Sequence, residues 1–161
     1  MFYGLTPLGV VHTAVSLVAL AAGIIALARE GRITPRNRIG MIYVVTTVIV
    51  CLTGFGIFQH GGFGKPHALG ILTLIALAVA AAAGYYGKFG RFSPYVETVS
   101  YSATFLFHLI PGITESATRL PYGAPLLASA EAPELQAAAG VLGLVFMVCA
   151  FLQVRHLRGK K

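Results

Sequence analysis

Arg36-Asn37-Arg38 leads directly into Ile39-Gly40-Met41-Ile42-Tyr43-Val44-Val45-Thr46-Thr47-Val48-Ile49-Val50-Cys51-Leu52-Thr53-Gly54-Phe55-Gly56-Ile57-Phe58, twenty residues without a charge. A helix of that length spans the hydrocarbon core of a bilayer. The arginines in front of it mark the end that stays on the cytoplasmic side. Reading outward, four more apolar runs of similar length predict helices at Pro7–Ala28, Ala68–Tyr86, Val96–Ile113 and Leu135–Val154. The expected fold is an all-α polytopic membrane helix bundle, one integral membrane domain over residues 1–161. Four helices form its core and a fifth transmembrane helix lies against the side.

Charge supplies the orientation. Arg29, Arg32, Arg36 and Arg38 form one cluster, Lys88 and Arg91 a second, and Arg155, Arg158, Lys160 and Lys161 a third. Together these are ten of the twelve Lys and Arg residues, and about two apolar runs separate successive clusters. The bias puts all three inside, with the N-terminus outside, the C-terminus cytoplasmic, and only Lys65 and Arg119 on the outer side. The formal charge of +7 then reads as topology and as affinity for anionic headgroups. No nucleic-acid-binding motif is present. Charged residues make up 11% of the chain, against roughly a quarter in a soluble domain, so the lipid bilayer is the first partner. Membrane protein partners are the next expectation. The first apolar run lacks the basic segment of a signal peptide and is expected to be retained. Cys51 and Cys149 lie inside apolar runs without a CxxC pattern and read as buried thiols.

Helical phase assigns each span an inward stripe. His12, Ser16, Ala19 and Gly23 share one face of the first span. Gly40, Tyr43, Thr47, Cys51 and Gly54 share one on the second, and His67, Gly70, Leu74, Ala78 and Ala81 one on the third. The fourth is the most polar, with Glu97, Tyr101, Thr104, His108, Gly112 and Glu115 at spacings of three or four. The fifth carries Gly140, Gly143 and Met147 and no ionisable group in its middle. Pro111 removes a donor and crowds the Phe107 carbonyl, so a kink or early stop is expected there. From Thr114 to Glu134 three prolines predict an irregular outer loop with one short helical turn at most.

Four of the five histidines, His12, His60, His67 and His108, fall toward the outer side, where the basic clusters are absent. Ionisable groups in or beside lipid are costly and mark functional sites by default. Imidazoles from several helices can ligate a haem b iron. They can ligate a transition metal, with Glu115 as a carboxylate ligand beside His12, His67 and His108. They can also hydrogen-bond a quinone or relay protons. The alternatives are plainer. His60 reads as a solvated loop residue, His67 as a cap or an interfacial side chain, and His12 and His108 as interhelical hydrogen-bond partners. Glu115 and Arg119 have the spacing of a helical ion pair. In the sharper reading Arg119 meets a propionate or headgroup while Glu115 orients a histidine. Tyr3, Tyr43, Tyr85, Tyr86 and Tyr122 sit near span ends as interface anchors.

One series of features resembles a known family. It comprises the early His12, the turn Arg29-Glu30-Gly31-Arg32, the stretch Arg38-Ile39-Gly40-Met41-Ile42-Tyr43-Val44, a Gly- and Phe-containing outer loop, and Pro66-His67-Ala68-Leu69-Gly70-Ile71-Leu72-Thr73-Leu74. Over about Gly9 to Ala83 this resembles a family of uncharacterised bacterial multi-helix membrane proteins, a domain of unknown function distantly like small cytochrome b bundles. The resemblance implies the architecture and the bacterial inner membrane, and it brings no established activity. Histidines common in that family at the first inner loop and after the third helix are replaced here by Arg36-Asn37-Arg38 and Lys88-Phe89-Gly90-Arg91. That leaves no inner-side pair and counts against a two-haem transmembrane wire.

The sequence therefore points to a small inner-membrane protein with a His-lined periplasmic-side site. It would bind haem b or a transition metal for electron transfer or oxidase-type assembly. The alternative is an accessory or scaffold subunit without a cofactor. A metal-dependent enzyme ranks last, because no nucleophile–base pair or paired carboxylate stands out.

Overall fold

A computed structural model describes residues 5–58 and 62–159. His60, Tyr3, Lys160 and Lys161 lie outside the described residues. The chain is all-helical: α1 is Pro7–Glu30, α2 Arg38–Gly54, α3 Lys65–Tyr86, α4 Ser93–Arg119 and α5 Pro133–Arg158, with a single 3₁₀ turn at Gly90–Phe92. Three of the helices, α1, α3 and α5, are long and apolar enough to cross a membrane, and α2 is a shorter apolar helix of 17 residues.

Local chemistry sets the ends. The Thr6 hydroxyl accepts from the Gly9 N–H at 3.1 Å with Pro7 in the first turn, where its missing donor costs nothing. The Asn37 side chain accepts from the Gly40 N–H at 2.8 Å to open α2. Gly31 (φ 66°) and Gly87 (φ 60°) stop α1 and α3 in the left-handed conformation that favours glycine.

Several boundaries differ from the sequence expectation: α3 starts at Lys65, α4 at Ser93 and α5 runs on to Arg158, and two further differences change the connections. Helix α2 ends at Gly54 and Phe55–Phe58 turn away from it, because Gly54 and Gly56 weaken the last turn. Helix α4 does not stop at Pro111 but runs on to Arg119, which removes Thr114–Arg119 from the expected loop. Beyond the proline, the hydroxyls of Thr114, Ser116 and Thr118 donate to the carbonyls of Ile110, Gly112 and Thr114 at 2.9, 2.7 and 2.8 Å.

The first four helices touch in cyclic order, α1 on α2, α2 on α3, α3 on α4 and α4 on α1, while α5 packs on α4. Helices α2 and α4 are therefore diagonal. Ala22, Ala26, Ile33, Tyr43, Leu77, Ala80 and Tyr101 form the buried core between them. Its small alanines let the backbones approach, and its two tyrosines fill the space that leaves.

At the end of the bundle that carries the α1–α2 connector, called its inner end below, a polar clamp joins the α1–α2 hairpin to the α3–α4 hairpin. Glu97 of α4 is 7% exposed, and Arg36 from the α1–α2 connector donates to its Oε1 at 2.5 Å. The second arm of the same guanidinium donates to the Gly84 carbonyl at the end of α3 at 2.7 Å, and Nη1 also reaches the Thr34 hydroxyl at 3.3 Å. A buried carboxylate is tolerated only when paired and hydrogen-bonded, and the planar fork of Arg serves two acceptors at once. Beside this clamp, Gln153 of α5 accepts from Ser102 at 3.0 Å and donates to the Gly31 carbonyl at 2.8 Å. One amide thus ties α4, α5 and the first connector together.

Gly84 makes the clamp possible, since a Cβ there would meet Glu97 Cδ at 2.6 Å and the carboxylate oxygen closer still. In a helix interior Gly→Ala ordinarily stabilises by about 0.5–1 kcal/mol. Here the sign should reverse, with Gly84→Ala costing about 1–3 kcal/mol through overpacking. Thermal unfolding of the detergent-solubilised protein measures it, and an unchanged or raised melting temperature would show that the hairpins are not pressed together at this point.

Candidate functional site

One face of α4 carries the polar interior. Ser93, Glu97, Thr98, Tyr101, Ser102, Thr104 and His108 are all buried: the three-to-four spacing keeps Glu97, Tyr101, Thr104 and His108 on one side, while Ser102 faces α5 through Gln153. Proceeding outward from the clamp, the first link is Tyr43 of α2. Its hydroxyl reaches across the bundle diagonal to Thr104 Oγ1 at 2.8 Å. The Thr104 hydroxyl already donates to the Tyr101 carbonyl at 2.7 Å, so Tyr43 is the donor and Thr104 the acceptor. Phe105 and His108 lie against the Tyr43 ring with centroids 6.3 and 6.2 Å away.

Helices α2 and α4 run in the same direction, so residues four further along each lie at a common level, about 6 Å outward. Those residues are Thr47 and His108. Both are buried, and Thr47 Oγ1 and His108 Nε2 make no hydrogen bond of normal geometry among the described residues. Were the ring proton of His108 on Nδ1, toward the Thr104 carbonyl one turn back, Nε2 would present a lone pair to the bundle interior.

His12 is half-buried on α1 and follows the same logic. Its Nδ1 sits 3.0 Å from Thr53 Oγ1, whose own proton is directed at the Ile49 carbonyl at 2.8 Å. His12 Nδ1–H is therefore the donor and its Nε2 carries the lone pair. His12 and His108 are within electrostatic range of each other, as are His12 and Glu115. His12 is the shallower of the two, since it faces Thr53, about 9 Å along α2 from Thr47. Glu115 pairs with Arg119 at the outer end of α4, as their spacing predicts, and Lys65 pairs with Glu131 at 2.6 Å on the exposed surface.

His67 has the opposite tautomer. Its Nδ1 accepts the Gly64 N–H at 3.2 Å, closing the start of α3, and its ring is stacked between Phe58 and Phe63 with centroids 5.0 and 5.2 Å away. The proton then resides on Nε2, which is buried without a partner. To act as a ligand, His67 would have to give up its cap. Among the described residues, no group of three or more His, Cys, Asp or Glu side chains is gathered to hold a metal ion. Cys51 is buried and Cys149 exposed on α5, and both are free thiols.

The sequence reading gives Arg36 a part in topology and headgroup affinity but no buried partner, and it gives Gln153 no bridging role. It did not anticipate Thr53 as the partner of His12. Gln153 was visible as an amide near the inner end of an apolar helix. Nothing in the spacing pointed to Arg36, because its partner is 61 positions away. No family model, curated protein or solved structure matches the chain.

Two neighbouring hydroxyls on α2 should respond oppositely to removal. Tyr43→Phe deletes the bond across the diagonal and should cost about 0.6–2 kcal/mol, as interhelical hydrogen bonds in membranes do. Thr47→Val removes a buried hydroxyl that makes no hydrogen bond of normal geometry among the described residues and should be neutral or stabilising by up to about 1 kcal/mol. Thermal unfolding of both variants decides, and a larger loss from Thr47→Val would contradict the hydrogen-bond assignment.

Proposed function

We propose that the chain is a small integral protein of the bacterial inner membrane. Four helices form the core and α5 is a further transmembrane helix, with the C-terminus cytoplasmic. Its function in this reading is to hold one redox group, a haem b or a single transition metal ion, toward the periplasmic side for electron transfer or oxidase-type assembly. The observation that carries the reading is His108 Nε2, a ring nitrogen buried in the bundle with no hydrogen-bond partner among the described residues. An unpaired buried polar atom costs about 1–3 kcal/mol and is retained where it serves a ligand. His12 adds a second imidazole, and Glu115 a carboxylate within electrostatic range of it. His67 enters this site only if its cap opens.

A second reading rests on a different observation. His12 and His67 each already make a hydrogen bond through Nδ1, as structural histidines in an accessory or scaffold subunit would. The two readings differ in what a purified protein contains.

Absorbance in the Soret region and metal analysis of one detergent-purified preparation separate them. The first reading expects haem or near-stoichiometric metal, lost in His108→Ala while the variant still reaches the membrane, and kept in His60→Ala. Colourless, metal-free protein would overturn it in favour of the scaffold, in which His108→Ala costs only about 0.6–2 kcal/mol. Equal loss of the group from both variants would show that depth in the bundle does not rank the histidines.

A further inference from the structure

The inner end of α2 carries a groove that neither the clamp nor the histidine site uses. It has a volume of about 440 Å³ and is lined by Pro35, Arg36, Asn37, Arg38, Met41 and Ile42. The polar and apolar parts of this lining are segregated along the helix. Arg38 is exposed at its inner rim, and no carboxylate pairs with it among the described residues. Arg36 gives its inner side to Glu97 yet keeps about half of its side-chain surface in the open. Glu30 accepts from Asn37 at 2.8 Å and makes no ion pair with Arg38 among the described residues. Below the arginines, Met41, Ile42, Val45, Ile49 and Leu52 are all exposed. They recur at three- and four-residue spacing, a continuous apolar track down the outer face of α2.

We propose that this groove binds one anionic phospholipid of the inner leaflet, its phosphate between Arg38 and the free edge of Arg36 and an acyl chain along the Met41–Leu52 track. The inference rests on the membrane reading given above. Charge complementarity selects the occupant. A zwitterionic headgroup brings its own cation to the arginines, whereas an anionic one brings a net negative charge to a rim where Arg38 has no ion-pair partner among the described residues. Arg presents a planar fork suited to two phosphate oxygens. Basic pockets at the cytoplasmic side of membrane helices are where anionic headgroups bind. The apolar track distinguishes this ligand from a free phosphate, which would gain nothing from Met41 or Ile42.

The test is native mass spectrometry of the full chain, released from detergent carrying equal amounts of phosphatidylglycerol and phosphatidylcholine with identical acyl chains. One phosphatidylglycerol should be retained in preference to phosphatidylcholine. Arg38→Gln should reduce that preference roughly fivefold, the share of one arginine near the surface, while Arg91→Gln, in the other inner cluster, should leave it unchanged. Arg38 is chosen because Arg36→Gln would also loosen the hairpins. Equal retention of the two lipids, or equal loss from the Arg38 and Arg91 variants, overturns the proposal in favour of diffuse surface charge. Displacement of the bound lipid by millimolar inorganic phosphate would overturn it by removing the role of the apolar track. A chain found in the soluble fraction of cells would instead overturn the membrane reading beneath it.

Discussion

A carboxylate buried where two helical hairpins meet must be neutralised, and in this protein one guanidinium does so. Glu97 is largely shielded from solvent, so the chain must place Arg36 within hydrogen-bond distance. Arg36 comes from a connector rather than a helix, which fixes the path of residues between α1 and α2. Its second arm ends on the α3 carbonyl of Gly84, so the same side chain sets the inner spacing of α3 from α4. Neither hairpin can slide by a turn without stranding the charge. An apolar seam of alanines has no such preference for register, and the clamp supplies it.

The rest of the interior is read outward from that fixed end. With α2 and α4 held in register, Tyr43 meets Thr104 across the diagonal, and the next turn brings Thr47 and His108 to a common level. Polar groups on α4 are satisfied along this line until its last member. Glu97, Ser102 and Thr104 have partners; His108 Nε2 has none. Most of the polar stripe is thus structural, and its unsatisfied member is the candidate for chemistry. The polar character of α4 also explains its absence from the helices that are apolar enough to cross a membrane by composition alone. Its polar side chains face other helices, so its hydropathy understates how well it suits an apolar surrounding.

The helices were legible because their signals are local. Uninterrupted apolar runs, a Thr or Asn before the first turn, and a Gly after the last one all act within a few residues. The inward stripes of α2 and α4 were legible for the same reason, since period fixes face. Pro111 does not stop α4, because a proline ends a helix only where nothing else holds the chain, and here α4 is packed on α3 and α5. The tautomers of the histidines could not be read at all. His12 and His67 are both early in their helices and both outward-facing, yet one donates through Nδ1 to Thr53 and the other accepts there from Gly64. Which nitrogen remains available depends on a partner 41 residues away in one case and 3 in the other. Arg36 shows the same limit, for a basic residue in a connector satisfies the topology rule whether or not it has a buried partner.

The dependence of the fold on the Arg36–Glu97 contact is measured most directly by a double-mutant cycle with Arg36→Gln, Glu97→Gln and the pair, followed by thermal unfolding in detergent. If the contact holds the hairpins in register, each single change lowers stability, and the double variant loses clearly less than the sum, because the second change finds no interaction left to remove. Losses that simply add would contradict it, showing that the two side chains stabilise the bundle independently and that the register is set elsewhere.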